Sequence, residues 1–213
     1  TNVGEVVVMV TAISLGLPAP LHATQLLWIN LITDTLPAVA LGMDPGDPDI
    51  MDQPPRNPGE GFFAQGALLR ILTGGLLIGT LTLGGYWLGY FTHGYRPFDG
   101  EIPQEVQRYA RSMAFMTIVS CQLFYALSFR HQIRSLFSIG IFSNKYLIWA
   151  IVLGFGLQLL VMGIPILQNA FRLEMLDATS WAYVLGLGLI PLILSEVIKG
   201  FERFRNKKKS AFV

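Results

Sequence analysis

The run Ala23–Met43 (ATQLLWINLITDTLPAVALGM) is long and apolar enough to cross a bilayer as a helix, yet it carries Asn30, Thr33 and Asp34 in its middle. A helix rises about 1.5 Å per residue, so roughly 20 residues cover the hydrocarbon core. An ionised carboxylate at that depth costs at least ~2.5–3.5 kcal/mol, so Asp34 needs compensation, and a bound cation is the leading means. Positions 30, 33 and 34 follow i, i+3, i+4 spacing and therefore share one helix face. Pro37 has no N–H, which removes the helical partner of the Thr33 carbonyl and leaves that oxygen available. Carboxylate, amide and carbonyl oxygens are the donors a hard cation such as calcium collects. The competing reading is that Asn30 and Thr33 only hydrogen-bond between neighbouring spans.

The rest of the chain fits a membrane setting. With 52% hydrophobic and 14% charged residues, it is more apolar and less charged than an ordinary soluble domain. Hydropathy, punctuated by Pro, Gly and charge, marks six runs: Val3–Leu17, Ala23–Met43, Gly66–Thr92, Ser112–Phe129, Tyr146–Leu167 and Trp181–Phe201. The expected fold is an all-α membrane protein, a bundle of six transmembrane helices of which the first is truncated. Leu17-Pro18-Ala19-Pro20 is its exit turn. No basic leader with a cleavage site opens the chain, which reads as a piece cut from a longer protein.

Basic residues set the expected orientation. Arg130, Arg134 and Lys145 flank the fourth-to-fifth connection, and Lys199, Arg203, Arg205, Lys207, Lys208 and Lys209 crowd the end. The positive-inside rule places the 130–145 loop, the basic tail over 202–213 and the loop over 44–65 in the cytoplasm. That last loop includes DPGDPDIMDQPPRNPGEGF, too polar to insert and too proline-rich to be helical. By composition alone it is equally a plain solvated connector. The outer loops are too short to be domains, and no glycine-rich phosphate loop or internal repeat is present.

Asn2 and Glu5 are spaced i, i+3 on the first run, where Glu5 precedes VVVMV. Two buried carboxylates, Glu5 and Asp34, would repel across a helical hairpin unless a cation or proton lay between them. Alternatively Asn2 is an N-cap and Glu5 its partner in the first turn. Gln122, in SMAFMTIVSCQLFYAL, offers either a carbonyl oxygen to the same site or an interhelical hydrogen bond. Glu196 and Lys199 read as snorkelling side chains. Gln158 and the Gly74–Gly89 stretch read as packing features, and the four tryptophans include interface anchors. Cys121 is the single cysteine, so no intrachain disulfide framework exists, and His22, His93 and His131 are isolated.

The segments NVGEVV and LPAPLHATQLLWINLITDTLPAVALGMDPGDPDIMDQPPRNP resemble the fifth and sixth transmembrane helices and following loop of P-type cation-transporting ATPases. Within that family the segments look most like calcium pumps of the sarco/endoplasmic reticulum type and their bacterial relatives. The remaining four runs agree with the family's last four helices in number, order and loop length. The resemblance implies that Asn2 and Glu5 are fifth-helix ligands and that Asn30, Thr33 and Asp34 are sixth-helix ligands, Asp34 being shared between two calcium sites. Gln122 falls where the two-site pumps have an eighth-helix glutamate, and it brings oxygen without charge. Thr35 stands where they have glycine.

The same resemblance implies calcium as the transported ligand, Mg-ATP in the intact pump only, and proton counter-transport. No catalytic residue is expected in this chain, because the phosphorylated aspartate, the nucleotide and actuator domains and the first four helices are missing from it. The implied division is an ion-binding hairpin over 1–43, a cytoplasmic coupling loop over 44–65, a four-helix support over 66–201 and the tail. Expected partners are the lipid bilayer and those missing parts of the same polypeptide; no nucleic acid partner is expected. The implied location is a multi-pass integral membrane protein, in the cell membrane if bacterial. A secondary cation transporter or channel, or a pump for manganese, sodium or potassium, are the alternatives.

Overall fold

The computed structural model describes residues 2–45, 66–131 and 134–210, with side chains described through residue 204. The loop expected over 44–65 therefore lies outside the described residues beyond Pro45. Among the described residues the structure is helical, with four helices long and apolar enough to cross a membrane.

Helix α1 (Asn2–Ser14) ends where Gly16 turns left-handed, at φ 72°. There the Gly16 N–H reaches the Ile13 carbonyl at 3.0 Å and the Leu17 N–H reaches that of Ala12 at 2.9 Å. This paired closure satisfies carbonyls that would otherwise be orphaned, and glycine takes the positive φ without a Cβ clash. The proline-containing turn that follows is pinned from outside its own helix. Its Pro18 carbonyl accepts from the Tyr86 hydroxyl at 2.8 Å and its Ala19 carbonyl from Arg111 Nε at 3.0 Å.

The second run is not one α-helix. Helix α2 (Ala23–Trp28) passes into a π-helical turn over Ile29–Thr33 and then into α3 (Thr35–Gly42). Helix α4 (Ala67–Phe91) is unbroken, and α5 (Gln104–Ala126) is lengthened by a 3-10 turn over Leu127–Arg130. A short α6 (Leu136–Ile139) and a 3-10 turn over Ile141–Ser143 lead to α7 (Lys145–Gly163). Helix α8 (Pro165–Phe171) precedes the long α9 (Ala178–Ser210).

Two boundaries differ from the hydropathy runs, for physical reasons. The fourth helix starts well before Ser112, because Val106, Tyr109 and Ala110 bury an apolar face that the polar residues around them conceal in an average. The fifth run is split at Pro165, which starts α8 rather than continuing α7, since proline has no N–H to give the preceding turn and suits a first helical position.

Helix α5 is the central pillar: 78% of its most apolar stretch is buried, against 17–33% in the other three spans. It packs on α4 and α9, while α1 packs on α4 and α3 on α7. Glycines set these separations. A Cβ added at Gly75 would lie 2.5 Å from Val3 Cβ, one at Gly79 2.7 Å from Val7 Cγ1, and one at Gly188 2.6 Å from Ser120 Cβ. Backbones this close are how helices associate where no hydrophobic effect separates lipid from side chain. The Gly74–Gly89 stretch is thus a packing seam, with α1 held against one end of it.

Lys199 and Glu196 are not snorkelling. Lys199 is 6% exposed, its Nζ donating to the Ser128 carbonyl at 2.8 Å and lying 2.9 Å from Glu196 Oε1. Glu196 also accepts from the Ser135 hydroxyl and the Leu136 N–H. A hydropathy profile cannot foresee this arrangement, because the partners come from the 3-10 turn after α5 and from the start of α6.

Candidate cation site

Three elements converge on the polar triplet: α1, the π-turn and α5. The α1–α4 glycine seam holds Glu5, which follows Gly4, in a buried position; it is 7% exposed. Its Oε2 accepts from Asn30 Nδ2 at 2.9 Å, and the same amide donates to the Leu26 carbonyl at 2.9 Å. The other carboxylate oxygen, Oε1, is buried without a hydrogen-bond partner. A carboxylate oxygen in that condition carries a desolvation cost that a cation or a proton would relieve.

The π-turn shapes the next part. The Asp34 N–H bonds the Ile29 carbonyl, five residues back, at 2.9 Å. One extra residue in the turn shifts the facing of everything after it, and such turns recur at functional sites. Thr33 is fully buried, its hydroxyl 3.0 Å from the Ile29 carbonyl and 3.1 Å from Gln122 Oε1. Thr35 is no obstacle to the irregular backbone, since its hydroxyl donates to the Asn30 carbonyl at 3.2 Å. The Thr35 side chain thus satisfies a backbone oxygen of the turn. Pro37, also buried, follows immediately.

Gln122 supplies the α5 wall. It is 4% exposed, with Nε2 buried and lacking a hydrogen-bond partner. Rotating the amide by half a turn exchanges its two ends, so that nitrogen donates to the Thr33 hydroxyl and oxygen takes the unpartnered position. The residue can therefore present either end to the site. Asp34 is half-buried and joins the π-turn to α3. Asn2 lies exposed in the first turn of α1, at i−3 from Glu5.

The structure thus brings Glu5 to Asn30 and Thr33 to Gln122, with Asp34 directly after Thr33 in sequence. Asn2 sits at the margin. Among the described residues no group of three His, Cys, Asp or Glu side chains gathers anywhere, so the oxygens available here are mixed: two carboxylates, two amides, a hydroxyl and backbone carbonyls. Mixed hard oxygens suit calcium better than soft-ligand metals.

Supports that the sequence did not announce surround this cluster. Trp28 Nε1 donates to Gln158 Oε1 at 3.0 Å, and Gln25 Nε2 to the Phe171 carbonyl at 2.9 Å, tying α2 to α7 and α8. Asn144 Nδ2 donates to the Ala40 carbonyl at 3.0 Å, and Arg130 pairs with Asp44 at 2.9 Å, tying the far end of α3. The only sequence signal for these was a polar residue in or beside an apolar run, which names no partner.

Comparison with known proteins identifies the family of the chain. The family described as Cation transporting ATPase, C-terminus, matches residues 18–201. Calcium-transporting ATPase 1 of Bacillus cereus is 39% identical over 203 residues, covering 93% of this chain and 23% of that protein. Calcium-transporting ATPase of Bacillus subtilis is 38% identical, covering 91% of this chain and 21% of its own length. Calcium-transporting ATPase type 2C member 1 of Homo sapiens is 34% identical, with 97% and 21% covered. The chain spans less than a quarter of the length of these relatives. With the family match extending over most of its length, the chain belongs to the cation-transporting ATPases, as their C-terminal membrane region.

Proposed function

We propose that this region forms part of the transport path of an ATP-driven calcium pump, supplying intramembrane ligands to the ion. Glu5, Asn30, Thr33 and Asp34 are its principal ligands, Gln122 contributes an uncharged oxygen, and Asn2 closes the margin. The observation that carries this reading is the buried, unpartnered Glu5 Oε1 beside Asn30, on the π-turn that leads directly into Asp34. Two carboxylates in a low-dielectric setting favour a divalent cation when ionised and protons when it leaves, which is the chemistry of calcium exchange for protons.

Asp34 and Glu5 take calcium from the cytoplasmic side and protons from the other. The ends of α3 and α5, the 130–145 connection and the basic tail face the cytoplasm, in keeping with their Arg and Lys content. Phosphorylation and Mg-ATP binding belong to other parts of the intact polypeptide, which is a translocating ATPase.

The test is ATPase activation of the full-length enzyme by calcium, manganese, sodium and potassium, with Glu5→Gln and Gln122→Glu variants alongside. Calcium activation should be strongest and should weaken markedly in Glu5→Gln. Unchanged calcium activation in Glu5→Gln removes Glu5 from the ligand set; stronger activation by an alkali cation replaces calcium as the ion.

A further inference from the structure

Away from the carboxylates, a second polar cluster closes the far end of α3. Arg130 Nε and Nη2 hold the Asp44 carboxylate from both sides, at 2.9 and 3.1 Å. Its Nη1 donates to the Gly140 carbonyl at 2.9 Å and its Nη2 to the Ser143 hydroxyl at 2.7 Å. The two side chains are 4% and 15% exposed. Alongside, Asn144 spans from the Ala40 carbonyl to the Leu147 N–H, so it ties α3 to the first turn of α7.

A buried ion pair is a poor device for stability alone, because desolvation offsets most of the attraction; a two-pronged guanidinium–carboxylate pair is a good device for fixing geometry. Its location gives that geometry a use. Arg130 lies about two helical turns beyond Gln122 on the same α5 and 3-10 segment, and Asp44 follows α3, which continues from Thr33 and Asp34. The π-turn and α3 are therefore fastened to α5 at two points: Thr33 to Gln122 at 3.1 Å, and Asp44 to Arg130. A rod held at one point can rotate or slide about it; held at two, it can do neither.

We propose that the Asp44–Arg130 pair, reinforced by Asn144, is a positioning clamp that sets the rotation and height of α3 against α5 and so fixes the cation site from outside it. The inference rests on the cation-site reading above. Arg130 touches no ion; it acts through α3 and α5. Loosening the clamp lets Thr33 and Gln122 separate and weakens ion binding without removing a ligand.

The test is equilibrium calcium binding by the full-length protein in Arg130→Ala, Asp44→Asn and the double variant, with Glu5→Gln in parallel. Each single variant should raise the half-saturating calcium concentration by about five- to tenfold with the maximal amount bound retained, and the double should be no worse than either single, since all three release the same clamp. Arg130→Lys, which keeps the charge but not the two-pronged geometry, serves where Arg130→Ala fails to fold, and should shift the curve in the same direction. Unchanged half-saturation in Arg130→Lys and Asp44→Asn, or effects that simply add, overturns the clamp. If Glu5→Gln binds calcium as the parent does, the site reading itself falls; if Glu5→Gln loses binding while the clamp variants keep it, only the clamp falls.

Discussion

Replacing Gly75 by alanine inserts a methyl group where α1 and α4 have no room for it. The new Cβ would lie 2.5 Å from Val3 Cβ, 2.6 Å from its Cγ1 and 3.3 Å from the Gly4 nitrogen. Val3 is β-branched and stiff at χ1, and the third neighbour is backbone, so the helices themselves must move. Restoring ordinary contact, which begins near 3.4 Å, requires a separation of about 0.9 Å. Overpacking of this kind costs about 1–3 kcal/mol. Any gain in helix propensity, at most about 1 kcal/mol, is smaller. The displacement also moves Glu5, one residue beyond Gly4, and can carry its 2.9 Å bond to Asn30 past the hydrogen-bond limit. Gly84→Ala is the matched control: it sits on the same helix, and its added Cβ meets nothing within 4 Å. Thermal unfolding of the full-length protein in detergent should place Gly75→Ala several degrees below Gly84→Ala, with a higher half-activating calcium concentration. Equal melting temperatures for the two variants would refute the packing argument, and a lower melting temperature with unchanged calcium activation would refute its link to Glu5.

Further perturbations probe other parts of the structure. Lys199→Met leaves Glu196 without its ammonium partner and the Ser128 carbonyl without its donor, and should destabilise by about 3 kcal/mol, read as a lowered unfolding temperature at fixed lipid and detergent. Burial, together with the Arg111 and Arg172 charges, holds the His22 imidazole below its ordinary value of 6.5. The unfolded chain therefore takes up that proton first, so the His22 contribution is complete above pH 6.5 and is lost as pH falls below it. Unfolding measured across pH 5 to 8 should show this acid-side loss reduced in His22→Asn. Gln122→Glu places a third carboxylate beside Thr33 and should make calcium activation more sensitive to pH than in the parent; an identical pH profile would show that this position does not face the ion.

How far the structure could be read in advance depended on whether the signal was local. A polar triplet in a span, and a carboxylate before VVVMV, are local contradictions of a lipid setting, and one member of the triplet, Asn30, hydrogen-bonds that carboxylate. Pro37 pointed to an irregular backbone nearby, but that it takes the form of a π-turn over Ile29–Thr33, with Thr35 satisfying the Asn30 carbonyl, follows from tertiary packing that no single residue encodes. The polar start of α5 was invisible to hydropathy, because its buried face is a minority of its residues. Arg130 was legible as a basic residue at a span end, a role that interfacial solvation alone could explain. Its partner Asp44 is far away in sequence, and pairing at that range leaves no mark on either segment.

The central claim is that Glu5 and Asp34 bind the transported ion together. Equilibrium calcium binding by the full-length protein, compared among the parent, Glu5→Gln, Asp34→Asn and the double variant, addresses it most directly. The account predicts that each single substitution abolishes saturable binding or weakens it by at least about a hundredfold, a loss of about 2.7 kcal/mol that falls within the range for charged hydrogen-bonding groups, and that the double adds little to either, because the two carboxylates act on one bound ion and their losses are coupled. Saturable calcium binding at parental affinity in Asp34→Asn would contradict it.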